Sequence, residues 1–500
     1  GASVLASAEL GEGDEAKRPS VQIGDPFAEK KLLECCLELL DEELLVSLQD
    51  LGAAGLTSSS SEMAAKGEVG LDIDCSLVPL READMEPFEI MVSESQERML
   101  CVVEPDQLAA VIAVCEHWET LATPIGTVTD TGRMRVRAGD DVVVDLPVEI
   151  LVDDCPLYDL EPAPPAQPLY PAPTASLTVE SGPEATLLAL LGSPNVASRR
   201  PVFEQYDPVV QSRTVRRPDD ADAAVLALPT GEAIAVSIDG NGRRVACDPR
   251  AGAIEAVYEC AANLACVGAT PLGLTNCLNF GNPEKPHVAW QLVQAVEGIR
   301  AACLALEVPV VGGNVSLYNE APAGPIFPTP VIGMVGRLPD PERAGRLGFV
   351  NDGDAIAVVG AFQPSRAGSE QAKLSGEAPT GPLPELDLAG ARTAHDTVRA
   401  MVNTGAVRSA HDIAEGGFAV ALAECCIAGG IGATVSAPEG ADLFSEAPGR
   451  AFIVSGPEAA LRGLTILGHV GGSSLTLEGV LDVELARLAE ARDGGLARFM

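Results

Sequence analysis

An internal repeat is the sequence feature that most constrains how this chain can fold. When the sequence is shifted by 362 positions, residues 47–56 align with residues 409–418. A second block follows at a shift of 352 positions, where residues 93–98 align with residues 445–450. The matched positions include acidic residues, glycines and an arginine, and the two blocks come in the same order. Self-similarity of this kind predicts a tandem duplication of one folding unit.

The two copies differ in how much sequence precedes them. In the second copy 206 positions separate Tyr206 from Asp412, whereas only 49 residues precede the equivalent Asp50. This difference is about the length of one domain. We therefore expect the first domain of the first unit to be absent from this chain.

The charge of the chain limits its partners. Aspartate and glutamate total 72 against 33 lysines and arginines, a net charge of −39. Because such a surface repels nucleic acid and anionic membranes, neither is an expected partner. The 13 cysteines show no CxxC spacing, and no apolar run reaches the ~20 residues of a membrane span. These features predict a cytoplasmic protein with reduced thiols, in which an anionic substrate needs metal ions or helix N-termini.

Helical and strand spacings of apolar residues alternate along the chain, which predicts an α/β or α+β fold. Helical spacing over 27–45 predicts a first helix that ends near residues 41–43. Further helices are expected at 106–118, capped by Asp106, and at 253–267 and 287–306. Short strands are expected at 69–73, 99–103, 223–228, 233–238 and 308–311, the first two and the last of them buried. The predicted domains are 1–155 (C-terminal domain of the first unit), 156–200 (Pro-rich linker), 201–345 (N-terminal domain of the second unit) and 346–500 (C-terminal domain of the second unit).

Two segments carry residues suited to Mg²⁺ and phosphate, although each also fits a purely structural turn. Asp50 is followed by small residues at 52–61, predicted as a loop, and a carboxylate beside close-approaching backbone suits Mg²⁺. Residues 312–316 (GGNVS) leave an apolar strand and are predicted to cup a phosphate with backbone N–H groups. Residues 275–286 are predicted as a polar loop between two helices. The sequence contains neither a P-loop nor a Rossmann glycine motif.

Five segments together resemble one enzyme family. They are residues 49–64, 93–100, 206–208, 275–286 and 310–320, the last reading VVGGNVSLYNE. These segments resemble phosphoribosylformylglycinamidine synthase, in particular the small-type synthetase subunit of de novo purine synthesis. The resemblance implies a tandem of two PurM-like ATP-binding units. Each would combine a ferredoxin-like β-sheet or barrel domain with an α/β C-terminal domain, and the first domain of the first unit would be the absent one.

The resemblance also implies an ATP-dependent ligase activity. In the family, the formyl amide oxygen of formylglycinamide ribonucleotide is phosphorylated, and ammonia then displaces phosphate from the iminophosphate. Carried over position by position, the implied Mg²⁺ ligands are Asp50 and Asn314, and the implied ATP contacts are Asn276 and Gly313. The implied substrate contacts are Gln22, Glu94, Ser95, Gln96 and Ser316. Many members have aspartate where this chain has Asn276, which leaves the role of that position open.

No catalytic residue is assigned, because the catalytic histidines of the family would lie in the absent domain. His411 aligns with Gln49 and is interpreted as a structural residue. The remaining histidines lie outside any motif: His117, His287, His395 and His469.

The second copy has lost two polar side chains at the predicted substrate loop. Ser95 and Gln96 of the first copy become Ala447 and Pro448 in the second. We therefore expect the first copy to be the working one, and the second to be structural or to bind a nucleotide without turnover.

The resemblance implies partners as well. Since the sequence has no glutaminase signature, ammonia is expected from a separate glutaminase subunit, joined through a small bridging subunit. Two alternatives stay open. One is a sister synthetase such as aminoimidazole ribonucleotide synthase or selenophosphate synthetase, which the duplication disfavours. The other is a nucleotide-binding fragment without catalytic activity.

Overall fold

A computed structural model of the chain describes residues 24–154, 157–178, 181–321, 324–438 and 442–499. The chain divides into two compact units, Gly1–Asp159 and Leu160–Met500. The cysteines in the described ranges are all free thiols, as expected. None of the described helices combines the length and the apolar character needed to cross a bilayer.

The first unit combines two small sheets with helices. Its helices are α1 (Pro26–Asp41), α2 (Gly55–Lys66), α3 (Pro87–Val92), α4 (Leu108–His117) and α5 (Val148–Val152). Its strands are β1 (Ser47–Asp50), β2 (Gly70–Asp74), β3 (Met99–Val102), β4 (Gly126–Thr129), β5 (Arg133–Ala138) and β6 (Asp141–Pro147). β1 pairs antiparallel with β3, and the other four strands have the order β4-β2-β5-β6.

Local capping explains where the helices of the first unit begin. Pro26 opens α1, and the Asp25 carboxylate accepts hydrogen bonds from the N–H groups of the next residues, so the first predicted helix is confirmed. The cap predicted for α4 is wrong, because this helix begins at Leu108 and no side chain caps it. The predicted loop at 52–61 is also wrong: most of it is the first part of α2, whose small residues are buried.

The second unit contains two larger sheets. Its helices are α6 (Pro183–Leu191), α7 (Arg200–Phe203), α8 (Gly242–Cys247), α9 (Pro249–Cys266), α10 (Pro286–Leu306), α11 (Glu370–Leu374), α12 (Leu388–Thr404), α13 (Gly417–Gly429) and α14 (Leu485–Ala497). The strands before residue 340 are β7 (Thr214–Arg216), β8 (Ala224–Ala227), β9 (Ala233–Asp239), β10 (Thr270–Asn279), β11 (Val310–Ser316), β12 (Glu320–Ala321), β13 (Gly324–Pro325) and β14 (Thr329–Leu338). The later strands are β15 (Ala355–Gly360), β16 (Ser409–Asp412), β17 (Ala433–Val435), β18 (Ala451–Gly456), β19 (Ile466–Val470), β20 (Ser474–Leu477) and β21 (Leu481–Glu484).

The six-stranded sheet of the second unit corrects two predictions. Its order is β11-β10-β14-β9-β8-β7, so β11 is an edge strand. Val310 and Val311 are 50% and 73% exposed, and this strand, predicted as buried, is therefore exposed. The first residues of the predicted polar loop at 275–286 belong to β10, where they pair with β14 and β11.

The predicted linker 156–200 is interrupted by α6, whose leucines are buried.

α9 is the central helix of the second unit. It packs against β9, β14, α10 and α12, and most of its residues are buried. Alanine, glycine and cysteine dominate its sequence, which allows close approach on all sides. The seven-stranded sheet, with the order β16-β18-β15-β19-β17-β20-β21, places the end of β16 beside this helix. Polar groups on α9 are therefore held in fixed positions.

Candidate functional site

In the first unit, the end of β1 and the start of α2 carry the predicted metal ligand and one predicted substrate contact. Asp50 ends β1 and is exposed, and the Ser59 hydroxyl donates a 2.7 Å hydrogen bond to its main-chain oxygen. α2 starts from left-handed backbone at Ala54 and Gly55, with φ of 57° and 53°. The Glu94 carboxylate, 9% exposed, accepts a 3.0 Å hydrogen bond from the Ala54 N–H. A buried acid is thus held at the N-terminus of a helix, where its charge is favourable.

The loop after Glu94 is fixed by a glycine and an arginine. A Cβ at Gly55 would lie 2.0 Å from the main-chain oxygen of Ser93, so the loop can cross the helix start only at a glycine. The guanidinium of Arg98 donates to the main-chain oxygens of Ser93 and Ser95. Ser95 and Gln96 are exposed on this braced loop. Their side chains can therefore meet a ligand from solvent.

The same arrangement recurs in the second unit at the positions that the repeat predicts. Asp412 ends β16, and α13 starts from left-handed backbone at Gly416 and Gly417, with φ of 75° and 74°. The Glu446 carboxylate accepts a 3.2 Å hydrogen bond from the Gly416 N–H. A Cβ at Gly417 would lie 2.4 Å from the main-chain oxygen of Ser445. The sequence repeat is therefore also a repeat of local structure.

The second copy differs in what surrounds its glutamate. Glu446 is 1% exposed, and its carboxylate also accepts a 2.7 Å hydrogen bond from the Glu370 N–H, with Arg244 at 3.6 Å. Burial raises the pKa of Glu446 to about 8, although Arg244 acts in the opposite direction. Ala447, which replaces Ser95, is fully buried. This loop is committed to packing inside the protein.

In the second unit, four predicted site residues lie on two neighbouring parallel strands. Asn276 of β10 is opposite Gly313 of β11, and Asn314 and Ser316 follow along β11. A Cβ at Gly313 would lie 2.8 Å from the side-chain oxygen of Asn276, so this contact requires glycine. The loop predicted at 312–316 is wrong, because these residues belong to an extended edge strand, whereas their role toward phosphate stays a prediction. Gln22, another predicted substrate contact, lies outside the described residues.

A group of carboxylates lines a cavity of about 240 Å³ in the second unit. Asp239 ends β9, Glu259 lies on α9, and Glu415 precedes α13; one oxygen from each lies within 4.8 Å of the others. Burial raises the pKa of both Asp239 and Glu259 well above the usual range, and nearby carboxylates add to the effect. Such a group is stable only if protons or a cation neutralise part of its charge. Carboxylate oxygens at this spacing suit a hard divalent cation.

His411 lines the same cavity, and its imidazole lies between two carboxylates. Its Nδ1 is 2.8 Å from Asp222 Oδ1, and its Nε2 is 3.3 Å from Glu424 Oε2. Burial alone would lower the pKa of His411, but these carboxylates raise it well above its usual value. The adjacent Asp412 is 3% exposed, and its Oδ2 has no hydrogen-bond partner among the described residues. Burial raises the pKa of Asp412 to about 6. Asp412 thus offers a free oxygen to a cation, while the imidazole is held by its neighbours.

Sequence reasoning identified Asp412 only as the counterpart of Asp50 and missed the rest of this cluster. Asp239 had a readable signal, since it ends an alternating strand and is followed by Gly-Asn-Gly. Glu259 and Asn263 both line the cavity and are four residues apart, which places them on one face of a helix. Because the residues around them in the sequence are mostly apolar, the sequence pattern does not reveal this polar face.

Comparison with known families agrees with the duplicated arrangement. The family model described as AIR synthase related protein, C-terminal domain, matches residues 1–139 and again residues 351–473. The model of the corresponding N-terminal domain matches residues 220–338. The class is therefore that of AIR synthase related proteins, with the C-terminal domain present twice, and the α/β fold expected from the sequence is confirmed.

Individual relatives narrow this class. The phosphoribosylformylglycinamidine synthase subunit PurL of Moorella thermoacetica is 46% identical, covering 95% of this chain and 67% of the relative. The same subunit of an Anaeromyxobacter species is 45% identical, covering 98% and 68%. Thermotoga maritima PurL complexed with FGAR superimposes with a TM-score of 0.68 at 27% identity, covering 94% of this chain and 68% of that one. The chain belongs to the family of phosphoribosylformylglycinamidine synthase PurL subunits.

Proposed function

We propose that this chain supplies ATP- and substrate-binding parts of a ligase that converts formylglycinamide ribonucleotide (FGAR) to the amidine in purine biosynthesis. The observation that carries the proposal is the 46% identity to a PurL subunit over 95% of the chain. Structures of Thermotoga maritima PurL complexed with ATP and with FGAR support the assignment of these two substrates. In the reaction, the amide oxygen takes the γ-phosphoryl group and ADP leaves. Ammonia then adds to the imidate carbon, and phosphate departs as a proton is lost.

The residues of the first copy fit the binding part of this chemistry. Ser95 and Gln96 are exposed donors and acceptors on a loop that Arg98 braces, and Glu94 is held at the start of α2. We assign substrate binding to these three side chains, together with Gln22 and Ser316. A positioned loop matters because a misplaced reacting atom lowers the rate steeply.

Two residues are assigned to Mg²⁺ and two to ATP. Asp50 and Asn314 are proposed as Mg²⁺ ligands, and Asn276 and Gly313 as nucleotide contacts. Mg²⁺ would supply neutralisation of the charge on the transferring phosphoryl group. The exposed carboxylate of Asp50 and the exposed amide of Asn314 carry oxygens of the kind that Mg²⁺ prefers.

The second copy is proposed to bind a magnesium nucleotide without turnover. Its cavity brings together the carboxylates of Asp239, Glu259 and Glu415, and the nearby Asp412 has an unpartnered oxygen. Arg199 and Arg492 line the same cavity and carry the charge that phosphates require. The buried loop around Glu446 leaves no exposed equivalent of the Ser95 hydroxyl.

We further propose the cellular setting and the domain division. A separate glutaminase subunit would supply ammonia through a small bridging subunit, in the cytoplasm. The boundaries at 155, 200 and 345 are kept as the proposed division. They are supported by the family matches at 1–139, 220–338 and 351–473.

Titration calorimetry of the chain with FGAR in the presence of MgATP tests the proposal. Binding is expected, and Ser95→Ala is expected to weaken it about tenfold, because one hydrogen bond to a charged ligand is lost. Ser473→Ala, which truncates an exposed serine of the second unit, is the matched control and should bind as the wild type does. Equal FGAR affinity in the wild type and Ser95→Ala would contradict the assigned loop.

Parallel assays separate the alternatives. Three compounds are tested one at a time with MgATP and ammonium: FGAR, the substrate of aminoimidazole ribonucleotide synthase, and selenide. The release of ADP is measured in each assay. ADP release with selenide alone would identify a sister synthetase. ADP binding without FGAR binding would identify a nucleotide-binding fragment.

A further inference from the structure

A cavity of about 200 Å³ in the second unit is lined by arginines. It lies where β7, the segment after β14 and the end of α12 meet. Four of its lining residues are arginines and one, Glu342, is acidic; the arginines are Arg216, Arg343, Arg346 and Arg408. In a chain with a net charge of −39, this concentration of positive charge runs against the composition of the whole. None of these residues belongs to the acidic cavity or to the predicted sites.

Two of the arginines are anchored and give the cavity its shape. The Nε of Arg216 donates a 2.9 Å hydrogen bond to the main-chain oxygen of Gly345, and another of its nitrogens donates to Ala344. Arg408 forms an ion pair with the buried Asp354. These contacts hold both guanidinium groups in place without a ligand.

The other two arginines are far less engaged. The Arg343 guanidinium is 3.9 Å from Asp340, with both side chains about half exposed. A Cβ at Gly405 would lie 3.0 Å from Arg343 Nη1, so this guanidinium lies against the end of α12. The Arg346 side chain has no hydrogen bond or ion pair within the described part of the chain. Burial lowers the pKa of Arg216, and the positive charge of Arg346 lowers it further. Like charges therefore face each other across the cavity.

We propose that this cavity binds a phosphate-type oxyanion, held by Arg346 and Arg343 against the fixed guanidinium of Arg216. Planar guanidinium groups form paired hydrogen bonds with phosphate oxygens, and an anion between them removes their mutual repulsion. The volume suits inorganic phosphate or the phosphate group of a small monoester, and it is smaller than the ~300–1,000 Å³ of a typical pocket for a larger ligand.

Differential scanning fluorimetry and calorimetry of the full chain with inorganic phosphate test this site. The titration is made at constant ionic strength against chloride, with acetate as a carboxylate control and ribose 5-phosphate as a monoester. Phosphate is expected to bind and to raise the melting temperature. Arg346→Gln should weaken phosphate binding about tenfold or more, because a charged hydrogen-bond donor is lost. Tighter binding of ribose 5-phosphate than of phosphate would identify a monoester as the ligand.

The arginine variants should fold as the wild type does, so that a change in phosphate affinity reports on the cavity. The side chains of Arg346 and Arg343 are exposed, and glutamine at either position removes one of the mutually repelling charges, so neither variant should have a lower melting temperature than the wild type without phosphate. Arg462→Gln removes a positive charge from a turn outside the cavity and should keep the wild-type affinity. Equal phosphate affinity in Arg346→Gln and the wild type would overturn the proposal. An equal response to acetate or chloride would overturn it as well.

Discussion

Replacing Glu259 by glutamine tests whether the acidic cavity of the second unit is a divalent cation site. One oxygen from each of Glu259, Asp239 and Glu415 lies within 4.8 Å of the others. At such a distance two full charges in an effective dielectric of ~20 repel by about 3 kcal/mol. Without metal at pH 8, Glu259→Gln should therefore stabilise the protein, by about 1–3 kcal/mol, since part of the charge is already neutralised by protons.

With Mg²⁺ present, the wild type should become more stable than Glu259→Gln. A cation at a hundredfold excess over its Kd stabilises a folded protein by about 2.7 kcal/mol, or roughly 4 °C for a unit of this size. The wild type should show this increase, whereas Glu259→Gln should lose most of it because one ligand is neutral. The Gly449 N–H, which donates a 2.7 Å hydrogen bond to Glu259, can still donate to the glutamine oxygen. The substitution therefore removes charge and keeps this hydrogen bond.

Thermal melts at pH 8, with and without Mg²⁺ at constant ionic strength, measure both effects. Glu458→Gln removes one negative charge from an exposed position in the same unit, and it should melt and respond to Mg²⁺ as the wild type does. A full Mg²⁺ response in Glu259→Gln would contradict a cation site at this carboxylate. Lower stability of the variant than of the wild type without metal would contradict the repulsion among the acids.

Three further predictions concern stability. Gly55→Ala places a Cβ 2.0 Å from a main-chain oxygen and should lower the free energy of unfolding by more than about 2 kcal/mol in urea titrations; Gly494→Ala, in open space on α14, should instead be neutral or slightly stabilising. Burial lowers the pKa of His395 to about 4, so the unfolded chain gains a proton near pH 6.5 that the folded chain refuses. The contribution of His395 to stability should therefore fall by up to about 3 kcal/mol as the pH drops from 6.5 to 4. The free energy of unfolding of His395→Gln, relative to that of the wild type, should rise by this amount in urea titrations across that range. Glu94→Ala removes the acceptor of the Ala54 N–H and should cost about 1 kcal/mol, whereas a wild-type unfolding curve would contradict its role at the start of α2.

Local chemistry allowed part of the fold to be predicted. α1 has a proline and an aspartate at its start and regular apolar spacing, so its bounds were predicted closely. The hairpin of β8 and β9 was confirmed for the same reason, since alternation and a turn are both short-range signals. Residues 275–279 were misread as loop, because their strand forms through pairing with β14, some fifty residues away along the chain. The edge position of β11 depends on the whole sheet and likewise leaves no mark in the strand's own sequence.

The candidate site, like the fold, could be predicted only where its residues are close together in the sequence. Residues within one repeated motif were predicted together, and Glu94 and Glu446 occupy matching positions in their copies. The acidic cavity collects side chains from β9, α9 and the segment before α13, which are far apart in the sequence. Glu259 is surrounded by alanine and cysteine in the sequence, a context that predicts a buried apolar helix. A carboxylate there becomes meaningful only when the other acids are seen to face it.

The two copies differ in the surroundings of the glutamate that is held at the start of the helix, Glu94 in the first copy and Glu446 in the second. In both copies one oxygen accepts a hydrogen bond from the start of a helix, which fixes the carboxylate. In the second copy Arg244 lies 3.6 Å from the remaining oxygen of Glu446, and the same arginine forms a doubly hydrogen-bonded pair with Glu255. Freeing Glu446 for a ligand would leave buried charges without partners, at a cost of several kcal/mol. The second loop can therefore take up a substrate role only if Arg244 is replaced at the same time.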